Sequence, residues 1–441
     1  MNIKLVNENF KQDYLKNLLI SRGITDIDGY INPTEKYLSS PENLDNCKKG
    51  AAFLLNFLIR DITFYDKATN EPLLNFKNGK KIAIVVDCDC DGYTSAAIMW
   101  NYIKDITDGA VLPDYYIHNK KQHGLSDLIS EFLNKDYDLI ICPDSSSNDY
   151  EYHEKLKEVG TKVLVLDHHL ANNANFSDNA VIINNQLSEN YLNKELTGAG
   201  VVFQFCRYLD EITNNNYAEQ YIDLAALGIC GDMGSITELE NRYIMYTGFK
   251  NIKNKFFQSL IDKQSYSMGY TVNSIGVAFY IVPLINAMIR VGTLEEKIRL
   301  FEAFIKPEEK IVSRKRGANG QLEYRCVESV RECTNAKAKQ TRLIERAETI
   351  IEAKIYKQDL LSNKILIIEL DEDDDFPSEL NGLIAMRLAA KFKKPTLVGR
   401  TNNDGELKGS IRGLNDSVLD DFRSFLLSSD LFDFVEGRLG L

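Results

Sequence analysis

The chain has 441 residues, 44% hydrophobic and 26% charged, a balance typical of a globular protein and a length that suggests two domains. Its polar N-terminus and short apolar runs argue against a signal peptide and a membrane span, so we expect a cytoplasmic protein without membrane contact. Eight cysteines without regular spacing indicate buried, reduced thiols rather than disulfides or zinc ligands. The net charge of −12 does not exclude a nucleic-acid partner, because binding depends on the local potential.

Residues 1–45 predict a polar, helical lead-in. From residue 46 to residue 240 short apolar strands alternate with helices, a rhythm that predicts a parallel, doubly wound α/β sheet. The predicted strands are 80–87, 110–117, 138–143, 162–167 and 180–185, and the predicted helices are 94–106, 125–134, 149–160, 198–212 and 218–231. Residues 241–358 predict a helical interdomain connection, and a strand near residue 364 begins a smaller α/β domain at 359–441.

The first predicted strand runs into the sequence DCDCDG, which places Asp87, Asp89 and Asp91 at intervals of two residues. Because side chains alternate along a strand, we expect the three carboxylates on one face and Cys88 and Cys90 on the other. The carboxyl ends of parallel strands form the ligand crevice of such sheets. Clustered carboxylates remain ionised together only around a cation, so the motif predicts a divalent metal site.

Three further segments bring candidate ligands to the same edge. Asp144 follows the third predicted strand, the triplet Asp167, His168 and His169 follows the fourth, and Asp232 ends an apolar helix. Oxygen ligands with an occasional imidazole suit Mn²⁺ or Mg²⁺. Four segments in this order predict a two-metal phosphoesterase centre.

The order DCDCDG, PDSSSND, LDHH and ALGICGDM resembles the DHH phosphoesterase superfamily, and within it the RecJ-type single-strand exonucleases. The resemblance extends from about residue 45 to the C-terminus through YYIHNKKQHGLS, LTGAGVVFQF, VPLINAMIRVGTLEEKIRLF, NGLIAMRLAAKFKKPTLV and KGSIRG. It implies a DHH catalytic domain at 46–240 and a DHH-associated domain at 359–441. It also implies a metal-dependent 5′→3′ exonuclease that degrades single-stranded DNA to mononucleotides in recombination, repair or replication.

The resemblance also implies roles for individual residues. Asp144 would bridge two ions, and Asp87 would be either a third ligand of its motif or a group behind the ligands. Asp167 would orient the ring of His168, and His169 would donate a hydrogen bond or a proton to the scissile phosphate. The implied metal ligands are Asp87, Asp89, Asp91, Asp144, His168 and Asp232, and the implied catalytic residues are His169, Asp144 and Asp167.

Predicted substrate contacts are basic, amide or glycine positions close to these motifs. The helix beginning at Gly198 could hold a phosphate on its amides, with a turn or capping role as an equal alternative. Residues 310–346 carry ten basic and four acidic side chains, which predicts a track for a single-strand backbone or, alternatively, a solvated helix face. The predicted contacts are Lys120, Lys121, His123, Gly198, Gly200, Asn286, Arg290, Arg314, Lys315, Arg316, Ser410 and Arg412.

Some positions depart from the family or lack motif support. Three serines follow Asp144 where cellular RecJ proteins have Asn-Gly. Near the end of the chain, Arg438 in VEGRLGL stands where the family has a histidine. This second departure predicts a compact, phage-like version or a truncated terminus. The acidic run 371–375 predicts a solvated loop. His153, in a polar helix, is expected at the surface.

Two other functions remain open at this point. The chain could hydrolyse short oligonucleotides or cyclic dinucleotides, or it could be a nucleic-acid-binding subunit with a decayed site. The expected partners are single-stranded DNA and a helicase or single-strand-binding protein, and the expected oligomeric state is a monomer.

Overall fold

The computed structural model describes residues 13–65, 72–76, 80–171, 176–371, 374, 376–402, 405–414, 422–429, 431–432 and 435. The chain divides into two compact units. The first comprises Met1–Ile289 and Thr293–Cys333, and the second comprises Arg290–Gly292 and Thr334–Leu441.

Within the described residues, which start at residue 13, the first unit begins with short helices. Asp13 and Asp26 begin the first two helices by accepting hydrogen bonds from the backbone N–H groups of Lys16 and Gly29, the usual N-cap arrangement. An antiparallel strand pair that we had not predicted follows the third helix. These elements are α1 (Tyr14–Ser21), α2 (Ile27–Ile31), α3 (Cys47–Leu58), β1 (Ile59–Tyr65) and β2 (Pro72–Phe76).

A five-stranded sheet forms the centre of the first unit and confirms the predicted α/β class. Its strands are β3 (Ile82–Val86), β4 (Asp114–Ile117), β5 (Leu139–Pro143), β6 (Lys162–Asp167) and β7 (Ala180–Asn184). They pair in the order β4-β3-β5-β6-β7, and every pairing is parallel. Because the second strand along the chain lies on the opposite side of β3 from the third, the direction of winding reverses between β3 and β5, which is where such sheets bind ligands.

Helices cover the sheet because β3, β5, β6 and β7 are buried on both faces, whereas the edge strand β4 begins with the exposed Asp114. One face of β3, β5 and β6 packs in a buried cluster with Phe132 and Leu156. On α3, a Cβ at Gly50 would meet the side chains of Ile183 and Leu164, so α3 lies close against β7 and β6. The helices between and after the strands are α4 (Cys90–Ile106), α5 (Ile129–Phe132), α6 (Tyr150–Glu158), α7 (Gly198–Thr213) and α8 (Ile222–Gly231).

Two local predictions are wrong in this part of the chain. The helix predicted at 125–134 is reduced to α5, and the preceding residues 124–128 form turns in which the N–H of Leu125 donates to Asp149 Oδ2. His153, expected at the surface, is only 1% exposed. Neither of its ring nitrogens has a hydrogen-bond partner among the described atoms.

The region after α8 is mostly helical, as predicted, but it contains a β-hairpin that we had not predicted. Thr293 and Glu296 form a reciprocal capping box at the start of one helix, which fixes the entry of the chain. The elements are α9 (Leu239–Lys250), α10 (Lys255–Gln264), α11 (Ser274–Gly276), a π-helical turn (Val277–Ile281), α12 (Val282–Val291), α13 (Leu294–Ile305), β8 (Lys310–Val312), β9 (Leu322–Tyr324) and α14 (Arg325–Lys357).

One helical segment is long and apolar enough to span a membrane, so the expectation that no apolar run approaches that length is wrong. Ser274–Val291 has a mean hydropathy of 1.7 over 18 residues, and 56% of it is buried inside the protein. Burial of this extent is what the core helix of a folded domain also shows, so the segment is weak support for a membrane span.

The second unit contains the predicted smaller α/β fold. Its three-stranded sheet has the order β10-β11-β12, with β10 parallel and β12 antiparallel to the central strand. The elements are β10 (Leu366–Glu369), α15 (Asn381–Phe392), β11 (Thr396–Thr401), β12 (Leu407–Arg412) and α16 (Phe422–Leu427). In the acidic run, Asp371 and Asp374 both accept hydrogen bonds from Lys354, while the other three acidic residues and Arg438 lie outside the described residues.

Candidate metal centre

The first acidic motif lies in a strand-to-helix turn. Because β3 ends at Val86, the strand alternation predicted for Asp87, Asp89 and Asp91 is wrong. Asp89 is the N-cap of α4 and accepts a hydrogen bond from the N–H of Gly92 at 3.0 Å, and Asp91 lies in the first helical turn. The turn still brings Asp87 and Asp89 to Asp144, with their nearest carboxylate oxygens within 4.8 Å of one another.

Asp144 is held at the end of β5 in an unusual backbone conformation. Its φ is 64°, in the left-handed region that aspartate tolerates better than most residues. Its N–H donates to the carbonyl of Leu166 at 2.7 Å. The side chain is 1% exposed, and its Oδ1 accepts no hydrogen bond within the part of the chain that the structure describes. A buried carboxylate oxygen without a donor is a natural cation ligand.

His168 lies among three carboxylates from different segments. Its Nε2 is 3.1 Å from Oδ1 of Asp144, 3.6 Å from Oδ2 of Asp232 and 3.9 Å from Oδ2 of Asp91. Asp232 follows the last residue of α8. All four groups were predicted as ligands, and the structure brings them together.

The prediction that Asp167 orients the ring of His168 is wrong. Its carboxylate holds the ring of His169 instead. Asp167 Oδ1 lies 2.8 Å from Nδ1 of His169 and also accepts hydrogen bonds from the backbone N–H groups of both histidines. Its Oδ2 accepts from the N–H of Ser147 at 3.0 Å. The Asp167 carboxylate is held by hydrogen bonds from its own loop, while the His168 ring lies against Asp144.

Asp91 has a structural task that the sequence did not reveal. It accepts hydrogen bonds from the N–H groups of Gly198 and Ala199 and from the hydroxyl of Thr197 at 2.8–3.1 Å. The amides at the start of α7 are therefore occupied by Asp91, which contradicts their predicted role as a phosphate site.

The two glycines of this turn serve close packing instead. A Cβ at Gly198 would lie 2.3 Å from Oδ1 of Asp144, and one at Gly200 would lie 2.3 Å from the Leu196 side chain. Any larger residue at Gly198 would displace the Asp144 carboxylate. Gly198 therefore leaves the space that the carboxylate of Asp144 occupies in the site.

The electrostatics of the cluster favour a bound cation. Burial, followed by the charges of neighbouring carboxylates, raises the pKa of both Asp91 and Asp144 well above the ordinary value. Burial by itself would raise the pKa of Asp167, but the hydrogen bond and charge of His169, the charge of His168 and the hydrogen bond from Ser147 together lower it. A divalent ion among Asp87, Asp89, Asp91, Asp144, His168 and Asp232 would offset the repulsion that raises the first two pKa values. The donor set of carboxylates and imidazole fits Mn²⁺ or Mg²⁺.

The loop after β4 reaches the centre through one residue. His123, predicted as a substrate contact, places its Nδ1 2.7 Å from Oδ2 of Asp87, and its ring nitrogens lie 3.8–3.9 Å from the sulfur of Cys88. Lys120 and Lys121 are exposed on the same loop. Of the three predicted contacts, His123 therefore lies at the carboxylates, and Lys120 and Lys121 lie at the surface.

Several basic side chains of the predicted track form ion pairs within the protein. Arg314 pairs with the buried carboxylate of Glu328 at 3.0 Å. Arg325 and Arg331 pair with Glu309 and Glu323, respectively. Lys315 and Arg316, in the loop between β8 and β9, are exposed, so the positive potential of this surface rests on fewer side chains than the sequence count suggested.

The remaining predicted contacts lie on α12 and in the second unit. Oδ1 of Asn286 is shielded from solvent and has no hydrogen-bond partner among the described atoms. Arg290, on the same helix, belongs to the second unit. Ser410 and Arg412 lie on β12 beside the start of α15, where a Cβ at Gly382 would be 2.9 Å from Nη2 of Arg412.

One positioning residue was missed by the sequence analysis. Asn184 ends β7, and its side-chain amide donates to the carbonyl of His169 and to the hydroxyl of Ser147, both at 2.9 Å. It ties the histidine loop to the loop that follows Asp144. Its position directly at the carboxyl end of a predicted strand is the same signal that identified the aspartates.

Comparison with known proteins gives a consistent result. Residues 81–229 match the family model of the DHH family, N-terminal domain. The SPbeta prophage-derived protein YorK of Bacillus subtilis strain 168, provisionally named a single-strand DNA-specific exonuclease, is 37% identical over 445 residues, which cover 99% of this chain and 72% of YorK. The single-stranded-DNA-specific exonuclease RecJ of the same organism is 23% identical over 404 residues, or 88% of this chain and 47% of RecJ.

A solved structure shares the fold. The crystal structure of RecJ from Thermus thermophilus in complex with Mn²⁺ aligns with a TM-score of 0.65 at 22% sequence identity. The alignment covers 89% of this chain and 51% of that chain. The chain therefore spans about half the length of the RecJ proteins it matches.

Proposed function

The chain belongs to the DHH family, in its RecJ-like branch, and from this membership we propose that it is a metal-dependent exonuclease acting on single-stranded DNA. The observation that carries the proposal is the convergence of Asp91, Asp144 and Asp232 on Nε2 of His168. Such a site holds divalent cations in hydrolases that cleave phosphodiesters.

The proposed centre takes two ions, Mn²⁺ or Mg²⁺. Two groups of side chains that share no residue support this number, because their ligand atoms lie within 4.8 Å inside each group: Asp87, Asp89 and Asp144 form one, and Asp91, His168 and Asp232 form the other. Asp144, 3.1 Å from the His168 ring, is the natural bridge between them. When bound, such ions supply an activated water molecule and neutralise charge on the phosphodiester.

His169 is the proposed donor to the scissile phosphate. Its side chain is 47% exposed while its partner Asp167 is buried, so the ring is anchored on one nitrogen and accessible on the other. Burial by itself would lower the pKa of His169, but the hydrogen bond and charge of Asp167 raise it to about 9. The ring is thus protonated at neutral pH and able to donate from Nε2 to a phosphate oxygen.

The proposed substrate is supported by the relatives' names and by accessible basic groups. YorK and RecJ are both named for single-stranded DNA. On this chain, exposed Lys120 and Lys121 lie next to His123, where they can contact a phosphate backbone leading away from the centre. We propose digestion from a 5′ end to mononucleotides, with duplex DNA resistant, in recombination, repair or replication and with a helicase or single-strand-binding protein delivering the strand.

The test uses end-labelled oligonucleotides with Mn²⁺, Mg²⁺ or EDTA. A 5′-labelled single strand should release labelled mononucleotide at once, whereas a 3′-labelled strand should give a descending ladder, and EDTA should stop both. The Asp144→Asn variant, prepared in parallel, excludes a contaminating nuclease. Cleavage of cyclic dinucleotides or di- and trinucleotides without cleavage of long strands would contradict the proposal and favour a small-substrate phosphodiesterase.

A further inference from the structure

The two carboxylate oxygens of Asp87 have different surroundings. Oδ2 lies 2.7 Å from Nδ1 of His123. Oδ1 is buried and has no hydrogen-bond partner among the described atoms. The carboxylate as a whole is 1% exposed and belongs to the group that includes Asp89 and Asp144. One oxygen is therefore tied to the loop after β4, and the other is left for a ligand.

The loop that carries His123 is fixed on both sides of this residue. After it, Gly124 has φ +69° and approaches Asp149 so closely that a Cβ would lie 2.3 Å from Oδ2. That same Oδ2 accepts the N–H of Leu125 at 2.8 Å. Before it, the carbonyl of Asn119 accepts a hydrogen bond from Lys297, a lysine that is only 3% exposed. The contact between His123 and Asp87 is thus built into the fold.

From this geometry we propose that His123 is a positioning residue that holds Asp87 as a metal ligand through Oδ1. A carboxylate with two unpaired, buried oxygens would turn to find a donor, which would take Oδ1 away from Asp89 and Asp144. The donor on His123 satisfies Oδ2 and so fixes the direction of Oδ1. This inference rests on the proposed function, because it assumes that the carboxylate cluster binds divalent ions.

A competing role for His123 is visible in the same place. Asp87, Cys88 and His123 also form a group with ligand atoms within 4.8 Å, and a thiol with imidazole would suit Zn²⁺ rather than Mn²⁺. If His123 were itself a ligand, its removal would delete one bound ion. If it positions Asp87, its removal would weaken an ion that remains bound.

The test measures Mn²⁺ binding to the metal-free protein, with free Mn²⁺ followed by electron paramagnetic resonance. His123→Ala should keep the number of bound ions and weaken one of them by about 10- to 100-fold, the usual effect of removing such a partner. His123→Asn keeps a donor near the position of Nδ1 and should bind within a few-fold of the unaltered protein. Gln122→Ala, the neighbouring residue, is the matched control and should bind Mn²⁺ unchanged.

Three results would overturn the proposal. They are unchanged Mn²⁺ affinity in His123→Ala, loss of one whole equivalent of ion, and equal weakening in His123→Ala and His123→Asn. Because the readout is binding, it is separate from nuclease activity: an unaltered protein that binds two Mn²⁺ ions but leaves single strands intact would refute the proposed function alone. Thermal unfolding of each metal-free variant shows whether the loop still folds.

Discussion

Nε2 of His168 lies 3.1 Å from Oδ1 of Asp144. His168 directly follows β6, and Asp144 directly follows the neighbouring parallel strand β5. Parallel strands have their carboxyl ends at one edge of the sheet. The contact joins an imidazole to a carboxylate whose pKa is raised by burial and by the charges of neighbouring carboxylates. Each side chain is therefore placed to bind a common ion.

Replacing Asp144 should abolish turnover without unfolding the protein. In Asp144→Ala and Asp144→Asn the proposed bridging ligand is lost, so we expect activity on single strands to fall at least about 10³-fold and one Mn²⁺ equivalent to be lost. Because the native carboxylate is buried among others, the metal-free Asn variant should be at least as stable as the unaltered protein. Calorimetry measures the number of bound Mn²⁺ ions, and urea unfolding measures the stability. Retained activity at saturating Mn²⁺ would refute the bridging role.

The two histidines of the motif should fail in different ways. His168→Ala removes a ring that faces three carboxylates, so we expect weaker Mn²⁺ binding and activity that recovers partly at higher Mn²⁺. His169→Ala should leave Mn²⁺ affinity nearly unchanged and lower kcat by about 10²- to 10⁴-fold, the usual effect of losing a proton donor. Indistinguishable Mn²⁺ titrations for the two variants would show that the roles are wrongly divided.

Asp167 should behave as a partner of His169. Because its Oδ1 meets Nδ1 of His169, Asp167→Asn should lower kcat and leave most of the Mn²⁺ affinity intact. In a double-mutant cycle, Asp167→Asn combined with His169→Ala should be little worse than His169→Ala alone. Additive losses would indicate that Asp167 acts on a different group.

The exposed pair Lys315 and Arg316 is the better test of the basic surface. We expect Lys315→Glu with Arg316→Glu to weaken binding to long strands and to flatten the salt dependence, by roughly 0.7 in log affinity per log salt for each lost phosphate contact. Cleavage of a dinucleotide should be nearly unchanged. Fluorescence anisotropy at several salt concentrations gives the slope.

The control for that experiment changes the same charge elsewhere. Lys48→Glu with Lys49→Glu, two exposed lysines on α3, should leave the slope as it is. Arg314 is excluded, since reversing its charge would place a second carboxylate beside the buried carboxylate of Glu328 and so destabilise the fold. Equal losses on long strands and dinucleotides would argue against a track.

Buried His153 should make the fold sensitive to acid. Burial lowers the pKa of His153 to about 4, while in the unfolded chain it is near 6.5. The unfolded state therefore binds a proton first, and the contribution of His153 to stability is complete above about pH 6.5 and falls toward pH 4, by roughly 3 kcal/mol at most. His153→Leu should lose less stability than the unaltered protein between pH 7.5 and pH 5 in urea unfolding. Glu151→Gln, an exposed change on the same helix, is the control, and equal losses for all three proteins would contradict the expectation.

The sequence by itself determined the five-stranded sheet and the grouping of the candidate metal ligands. Strands buried on both faces are continuous apolar runs, and each run that ended on a charged or imidazole group marked the edge where parallel strands finish together. For that reason Asp87, Asp144 and His168 could be predicted as neighbours, whereas Asp232 follows a helix and was predicted from the order of the four motifs along the chain.

Only the tertiary structure decided how each of these groups is used. The pairing of Asp167 with His169, the capping of α7 by Asp91 and the bond from His123 to Asp87 depend on which turn meets which loop. Such contacts are set by side-chain directions at distances of about 3 Å, a scale that apolar periodicity does not encode. The burial of His153 has the same origin: a polar helix does not reveal which of its faces the neighbouring strands will cover.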